Sequence, residues 1–298
     1  MNIPISLSVS MLACLLGGMI RKYYTERCGG AGSARHVFNA VTSAAAAAVL
    51  FLWGGISSAS PFTLILGAAF GVVTAVQTIT TLAAMERGPW AYTTVITSLS
   101  MLIPTLSGAL IWHESIGPLK IVGIVFMVAC LVLSVDGGKD AEKRRASFAW
   151  LLFCAIAFLF QGGIGVMQKW HQSSAFKEEL NAFLVVAFAV SFLYSTVSAL
   201  ILRKKEEHPA RDTEMPLWKR ALPWVMMVAG GVCVALNNKL NLYLSGVMDS
   251  AVFFPLVNGG GLILTTLCAF FLFRERLSLK QWIGLASGTA AVLMLCMG

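Results

Sequence analysis

The side chains best placed to do chemistry lie in the stretch 235–244, Ala-Leu-Asn-Asn-Lys-Leu-Asn-Leu-Tyr-Leu. Asn237, Asn238, Lys239 and Asn241 interrupt a run that is otherwise apolar enough to cross a bilayer. A polar or ionisable group at membrane depth is costly, so it faces protein or a watery cavity and marks a functional position by default. On a helical wheel with Asn237 at zero, Asn241 falls at about 40°, Asn238 at about 100° and Lys239 at about 200°. The asparagines form one stripe. Lys239 leaves on another face, where its long stem can instead snorkel to the interface. Gln77 and Thr81 repeat the spacing of Asn237 and Asn241 in an earlier apolar run, and Gln161, Asn258 and the pair Thr97-Ser98 add polarity in three others. The expected substrate-binding lining is therefore Asn237, Asn238, Lys239, Asn241, Gln77, Thr81, Asn258 and Gln161. For each the plain alternative is an interhelical hydrogen bond, worth about 1 kcal/mol. If Lys239 faces the cavity, the solute is anionic or zwitterionic.

Other chemistries lack their residues. All 14 acidic residues and all four histidines fall in loops or at the ends of apolar runs. No Ser/His/Asp set reaches membrane depth, and no phosphate-cradling glycine loop or metal cluster is evident. Six of the seven cysteines lie inside apolar runs, only Cys28 falls in a loop, and there is no Cys-x-x-Cys. They are expected to be packing residues. No catalytic residue, cofactor or metal is expected.

These side chains must be positioned by helices in lipid. The chain is 57% hydrophobic and 12% charged, with mean hydropathy +0.78. Soluble domains carry about 25% charged residues. A spanning helix needs about 20 apolar residues. Ten such runs occur, at 3–20, 37–56, 61–84, 90–112, 117–135, 147–168, 181–202, 220–244, 249–272 and 279–297. The first is expected to be a retained helix, because it lacks a basic leader and a small-residue cleavage site. Trp53, Trp90, Trp112, Trp150, Trp170, Trp218, Trp224 and Trp282 all fall near run ends, as an interfacial aromatic belt requires. The net charge of +8 does not imply nucleic acid, because 18 of the 22 lysines and arginines sit in alternate short loops. The positive-inside rule then puts those loops in the cytoplasm and both termini outside.

The two halves resemble each other. Glu114 and Gly123 correspond to Glu275 and Gly284 at one offset. Gly18-x-x-x-Lys22 matches Gly165-x-x-x-Lys169, Asn39 matches Asn181, and Gln77 and Thr81 match Asn237 and Asn241. Five runs per half is an odd number, so the second half inserts upside down. The result is an inverted-topology repeat of the kind secondary transporters use. The halves are 1–138 and 139–298. Ser278 and Gln281 read as a capping box for the last helix, and Pro118 suits a first helical turn. Pro104, Pro255 and Gly259-Gly260-Gly261 are expected to kink or thin their spans. Gly67-x-x-x-Gly71 and Gly284-x-x-x-Gly288 read as close-packing faces.

The Glu114 and Glu275 turns followed by Gly123 and Gly284, with Leu82-Ala83-Ala84 and Leu242-Tyr243-Leu244 at the exits of two matched runs, resemble the drug/metabolite transporter superfamily of the EamA type. The resemblance covers the whole length and implies ten helices in two five-helix repeats. It implies that spans 1–4 and 6–9 enclose a substrate chamber while spans 5 and 10 lie outside. The turn Ser115-Ile116-Gly117-Pro118 departs from the family's basic pattern after the glutamate, and Glu114 and Glu275 are read as structural.

The expected protein is thus an all-α integral membrane protein with ten transmembrane helices as two inverted five-helix repeats, multi-pass in the plasma or inner membrane. Its expected function is alternating-access transport of a small polar or amphipathic metabolite, such as an amino acid or organic anion. A drug exporter of the same fold is the alternative, and an intramembrane lipid-modifying enzyme is the alternative of another class. Its partners are a small-molecule solute and the lipid bilayer, with room for a homodimer and none for nucleic acid.

Two outcomes are expected. In a cysteine-depleted variant, a single cysteine at Ser57 labels with an impermeant reagent from outside intact cells and one at Gly138 does not; labelling of Gly138 from outside would reverse the orientation. Because no carboxylate lies at mid-depth, a pH gradient across proteoliposomes at clamped potential drives no accumulation of a solute that does not titrate in that range. Uphill, ionophore-sensitive accumulation would overturn this and direct attention to Glu86, Asp249 and Lys239.

Overall fold

A computed structural model describes residues 2–27, 32–56, 58–88, 90–133, 148–204, 217–273 and 278–297. The boundary between the halves at 138/139, Cys28, Glu275 and most of the basic loops at 139–145 and 203–219 lie outside these residues. The described elements are helical: α1 (Ile3–Arg27), α2 (Ser33–Gly54), α3 (Pro61–Arg87), α4 (Trp90–Leu99), α5 (Leu102–Ile111), α6 (Pro118–Leu133), α7 (Phe148–Gln172), α8 (Leu180–Arg203), α9 (Leu217–Val247), α10 (Ser250–Phe273) and α11 (Leu279–Met297). Among the described residues, eight helical segments are long and apolar enough to cross a membrane, and α6 is a shorter apolar helix. Large side chains such as Leu52, Leu110, Phe148 and Leu279 stand outward and exposed, while the polar stripe is turned inward. This is the build of a helical membrane protein.

Local chemistry sets the helix ends. The Ser60 hydroxyl caps α3 by accepting from the Thr63 amide at 3.2 Å, with Pro61 at the first helical position, the site proline tolerates best. Ser278 and Gln281 form the expected reciprocal box at the start of α11, with the Ser278 amide donating to Gln281 Oε1 at 2.9 Å and the Gln281 amide donating to Ser278 Oγ at 3.4 Å. α5 ends on His113 at φ 54°. The Glu114 amide reaches back to the Gly108 carbonyl at 3.1 Å, so the chain folds over the helix end, with histidine in the left-handed conformation that glycine usually takes there.

The run 90–112, expected as one span, contains one candidate span from Tyr92 to Ile111, but its helix is interrupted between α4 and α5. Proline lacks an amide and crowds the carbonyl four residues back, which for Pro104 is that of Ser100. The chain passes the obstacle by tightening: the Ser100 amide bonds Thr97 O at 3.2 Å, Met101 bonds Ser98 O at 3.2 Å and Ile103 bonds Ser100 O at 3.1 Å, all with three-residue spacing. Pro255 does not break α10. The carbonyl it crowds belongs to Ala251, in the helix's own first turn, where little ladder is lost.

Packing follows from small residues. Helices in lipid gain no hydrophobic drive toward each other and associate where backbones can approach. A Cβ on Gly71 would lie 2.2 Å from the Ala187 carbonyl oxygen, and one on Gly67 would lie 3.0 Å from that of Phe183, so this face of α3 presses on the α8 backbone. Gly123 meets Leu295 and Gly288 meets Cys130 across the α6–α11 contact. Other neighbours are α2 with α8, α3 with α7, α1 with α9, α2 with α9, and α5 with α10. Of the tryptophans, Trp53, Trp170, Trp224 and Trp282 are exposed as a belt requires. Trp150 instead is buried against Ala84 and Cys154, with its indole donating to Thr93 Oγ1 at 3.0 Å.

Gly71→Ala should destabilise by about 1–3 kcal/mol, the usual cost of overpacking, read as a lower melting midpoint of the solubilised protein. Gly163→Ala, where a Cβ would meet nothing within 4 Å, is the matched control. Equal midpoints would show that the α3–α8 contact yields easily.

Candidate functional site

A cavity of about 250 Å³ lies among α1, α3, α7, α9, α10 and the break before α5. Its polar wall is the asparagine stripe. Asn237 Nδ2 donates to the Ser10 carbonyl at 3.0 Å and to the Ser10 hydroxyl at 3.1 Å. That hydroxyl donates to Asn241 Oδ1 at 2.5 Å, and Asn241 Nδ2 donates to Asn237 Oδ1 at 3.2 Å. The three side chains close a ring that pins α9 to α1. Asn238 Nδ2 is anchored to Val234 O at 2.9 Å, while its Oδ1 accepts from Gln168 Nε2 at 3.4 Å. On the opposite wall Gln77 Nε2 donates to Thr81 Oγ1 at 3.1 Å, which spends Thr81 inside the helix pair. Asn258 Nδ2 donates to Phe254 O one turn back.

Six of the eight expected residues line the cavity: Asn237, Asn238, Asn241, Gln77, Asn258 and Gln161. Thr81 and Lys239 do not. Thr81 lies one turn beyond the lining, as the hydrogen-bond partner of Gln77. Lys239 leaves α9 on the face its wheel angle gave, with its ammonium 4.1 Å from the centre of the Trp53 ring and donating to Asn181 Oδ1 at 3.3 Å. A cation over an aromatic face is stabilised electrostatically, so Lys239 has a structural use without reaching the cavity or snorkelling bare to water. Thr97 and Ser98 are also off the wall, replaced by Ser100 and Met101 at the helix break.

The sequence reading missed the cavity's cation. Arg21 lines it, although the first run was expected to end at residue 20 and Arg21 to serve as a loop charge. The segment Lys22-Tyr23-Tyr24-Thr25-Glu26-Arg27 continues α1 as helix, which keeps Arg21 on the inward face below Gly17 and Gly18. Gln168 was missed as well. The signal was present: Arg21 precedes Lys22 as Gln168 precedes Lys169 in the matched motif. A smaller void of about 30 Å³ adjoins, lined by Arg21 together with Asn39, Thr42 and Ser43.

Charged pairs stand at the ends. Glu114 is paired with Lys169 at 2.5 Å and accepts from the Ser250 amide at 2.8 Å, and Lys120 pairs with Asp249 at 2.9 Å. This cluster joins the α5–α6 turn and α6 to α7 and the α9–α10 turn. At the other end Arg35 lies 3.5 Å from Glu86. Glu86 and Asp249 therefore stand in ion pairs off the cavity wall, and Glu114 has the structural part expected of it. Among the described residues no group of His, Cys, Asp and Glu is arranged to hold a metal.

No family model matches this chain. It is similar to an uncharacterised protein of Haemophilus influenzae, 23% identical over an alignment of 211 residues that covers 66% of this chain and 63% of that relative. The chain thus spans less than two thirds of that relative's length. Its fold is similar to that of a solved crystal structure described only as that of a protein, with a TM-score of 0.72 at 16% identity over 98% of both chains.

Proposed function

We propose that the protein is a secondary transporter carrying a small polar or amphipathic metabolite by alternating access, built of ten spans as two inverted five-helix repeats. This plan is similar to that of the drug/metabolite transporter superfamily. The observation that carries the proposal is the cavity's matched lining. Cys14, Gly17, Gly18 and Arg21 of α1 have as their sequence counterparts Gln161, Ile164, Gly165 and Gln168 of α7. Thr74, Gln77 and Thr78 of α3 have Val234, Asn237 and Asn238 of α9. Every one of these fourteen residues is on the wall.

The packing supports the same plan. Exchanging the halves turns the α3–α7 contact into α9–α1 and the α3–α8 contact into α9–α2, and leaves α2–α8, α6–α11 and α5–α10 as they are; each of these contacts occurs. Asn39 near the start of α2 bonds Ser191 and Ser195 of α8 at 3.2 and 2.7 Å, while its counterpart Asn181 at the start of α8 bonds the Leu50 and Gly55 carbonyls of α2 at 3.1 and 2.5 Å. A polar chamber between two related halves is the arrangement in which one half rocks against the other around a fixed site. A volume of about 250 Å³ sits below the ~300–1,000 Å³ of drug-sized pockets, which favours a metabolite over a bulky drug.

Net solute flux into proteoliposomes, driven by a solute gradient and absent from protein-free vesicles, tests the proposal. Gln77→Ala and Asn258→Ala, whose side chains among the described residues bond only within their own helices, should lower flux roughly tenfold, about one hydrogen bond's worth, at normal membrane levels. Lys239→Met should leave flux unchanged. Loss of folded protein in step with loss of flux in the first two variants would make these amides packing residues.

A further inference from the structure

We infer that the cavity holds an uncharged solute by a carboxamide or lactam edge, clamped between Gln161 of α7 and Asn258 of α10. This rests on the cavity being the solute site. Gln161 lines the cavity and, among the described residues, makes no hydrogen bond. Asn258 spends one N–H on the Phe254 carbonyl at 2.9 Å, which leaves its oxygen and its second N–H over. Neither side chain has a sealed polar atom without a partner, so their unspent atoms are open to the chamber they line. The amides of α9 differ, because Asn237 and Asn241 close the ring with Ser10, and Asn238 is held by Val234 and Gln168.

The register of the two helices sets these amides opposite one another. Near the end of α7 the Lys169 ammonium donates to the Met248 carbonyl, just before α10, at 3.3 Å. One turn back along α7, a Cβ on Gly165 would lie 2.9 Å from the Phe254 ring. The two helices therefore run in opposite senses. Four residues back along α7 and four forward along α10 amount to one turn in the same direction, about 6 Å. That turn reaches Gln161 and Asn258. Residues four apart share a helix face, so the pair flanks the gap that Phe254 closes one turn away.

A primary amide offers an acceptor beside donors, and a rotated amide exchanges oxygen and nitrogen while still offering both. Its complement is a planar group with a donor next to an acceptor, which takes two parallel hydrogen bonds. A carboxamide and a cyclic lactam share that edge. Charged groups fit less well. Among the described residues, no aspartate, glutamate, lysine or histidine lines the cavity. Arg21 reaches the wall, but it has an interaction partner in the protein, so no solute contact is assigned to it. A carboxylate or ammonium moved between two neutral amides gives up its hydration for dipoles alone. Pro104 and Phe254, which both crowd Gly165, and Ile164 beside them give apolar contact to the rest of the solute.

The test uses the full-length purified protein with benzamide and its near-isosteres acetophenone, benzyl alcohol, benzoate and benzamidinium, and with uracil as the lactam. A ligand that binds only the folded state raises the melting temperature. Benzamide, uracil or both should raise it, and comparing the two distinguishes an open carboxamide from a cyclic lactam. Acetophenone, which lacks the donor, should need at least about tenfold more, one hydrogen bond's worth, and so should the alcohol and the two ions. Gln161→Met removes the amide at similar size, and the concentration of benzamide or uracil needed for the same rise should increase about 10- to 100-fold, one to two hydrogen bonds' worth. In Gln161→Glu the preference should pass from benzamide to benzamidinium, a change that a packing role would not produce. Asn258→Ala, with the same weakening expected, decides the matter if neither Gln161 variant folds. No rise with benzamide or uracil, an equal rise with acetophenone, the alcohol or either ion, or an unaltered response in the folded variants would overturn the inference. A Gln161→Glu response that falls alike for every probe would do the same. Flux of the same probes separates the two claims: benzamide or uracil that binds through Gln161 without crossing refutes transport alone. Flux of benzoate that is indifferent to Gln161→Met, with neither benzamide nor uracil bound, refutes the inference alone.

Discussion

A bilayer interior has no water to satisfy a polar side chain, and the fold depends on how this constraint is met along α9. Three asparagines in one helix would be prohibitive if they faced lipid. The Ser10 hydroxyl resolves this by accepting from Asn237 and donating to Asn241. Because the ring closes between α1 and α9, satisfying the amides and joining the first helix to the ninth are one event. The cavity then lies beside the ring rather than within it, lined by amides whose orientation is already fixed.

The same solution recurs between α2 and α8. Asn39 and Asn181 each sit near the start of their own helix and bond the far part of the other, so the pair is fastened near both ends. Between the mirrored clasps lie the Ser43 and Ser191 hydroxyls, bonded to each other at 2.9 Å, and apolar residues such as Ala46, Leu184, Ala187 and Phe188. Matched polar pairs among apolar neighbours fix register without burying an unmatched group. The outer wall made by α6 and α11 uses glycine and cysteine instead, and no cavity-lining residue comes from it.

Much of this was legible in the sequence, and the parts that were not share a cause. Asparagine inside an apolar run is conspicuous, and a period of 3.6 residues is enough to separate Asn237 from Lys239 by face. Arginine at the end of an apolar run is ordinary, because topology charges gather there, and nothing in composition tells a helix that stops at residue 20 from one that runs to Arg27. Where a helix ends is decided by what packs on it. Pro104 and Pro255 look alike as letters, yet Pro104 follows the long stretch of helix in α4 whose ladder must be interrupted, whereas Pro255 lies near the start of α10. Trp150 stands at a run end like the other tryptophans, but Gly88, where a Cβ would lie 2.3 Å from its ring, opens a slot that draws it inside.

The break at Ser100–Met101 has a further consequence. A machine assembled from two identical halves would be degenerate, with two mirror-related arrangements of equal free energy and equal population. Here α4 and α5 form a jointed rod while their counterpart α10 is a single one. Bending is therefore cheaper in one half than in the other. In a carrier of the kind proposed above the two arrangements would then not be isoenergetic, and the populations of a two-state protein follow such a difference exponentially. Such a carrier would have a preferred resting posture, set by the backbone before any solute arrives.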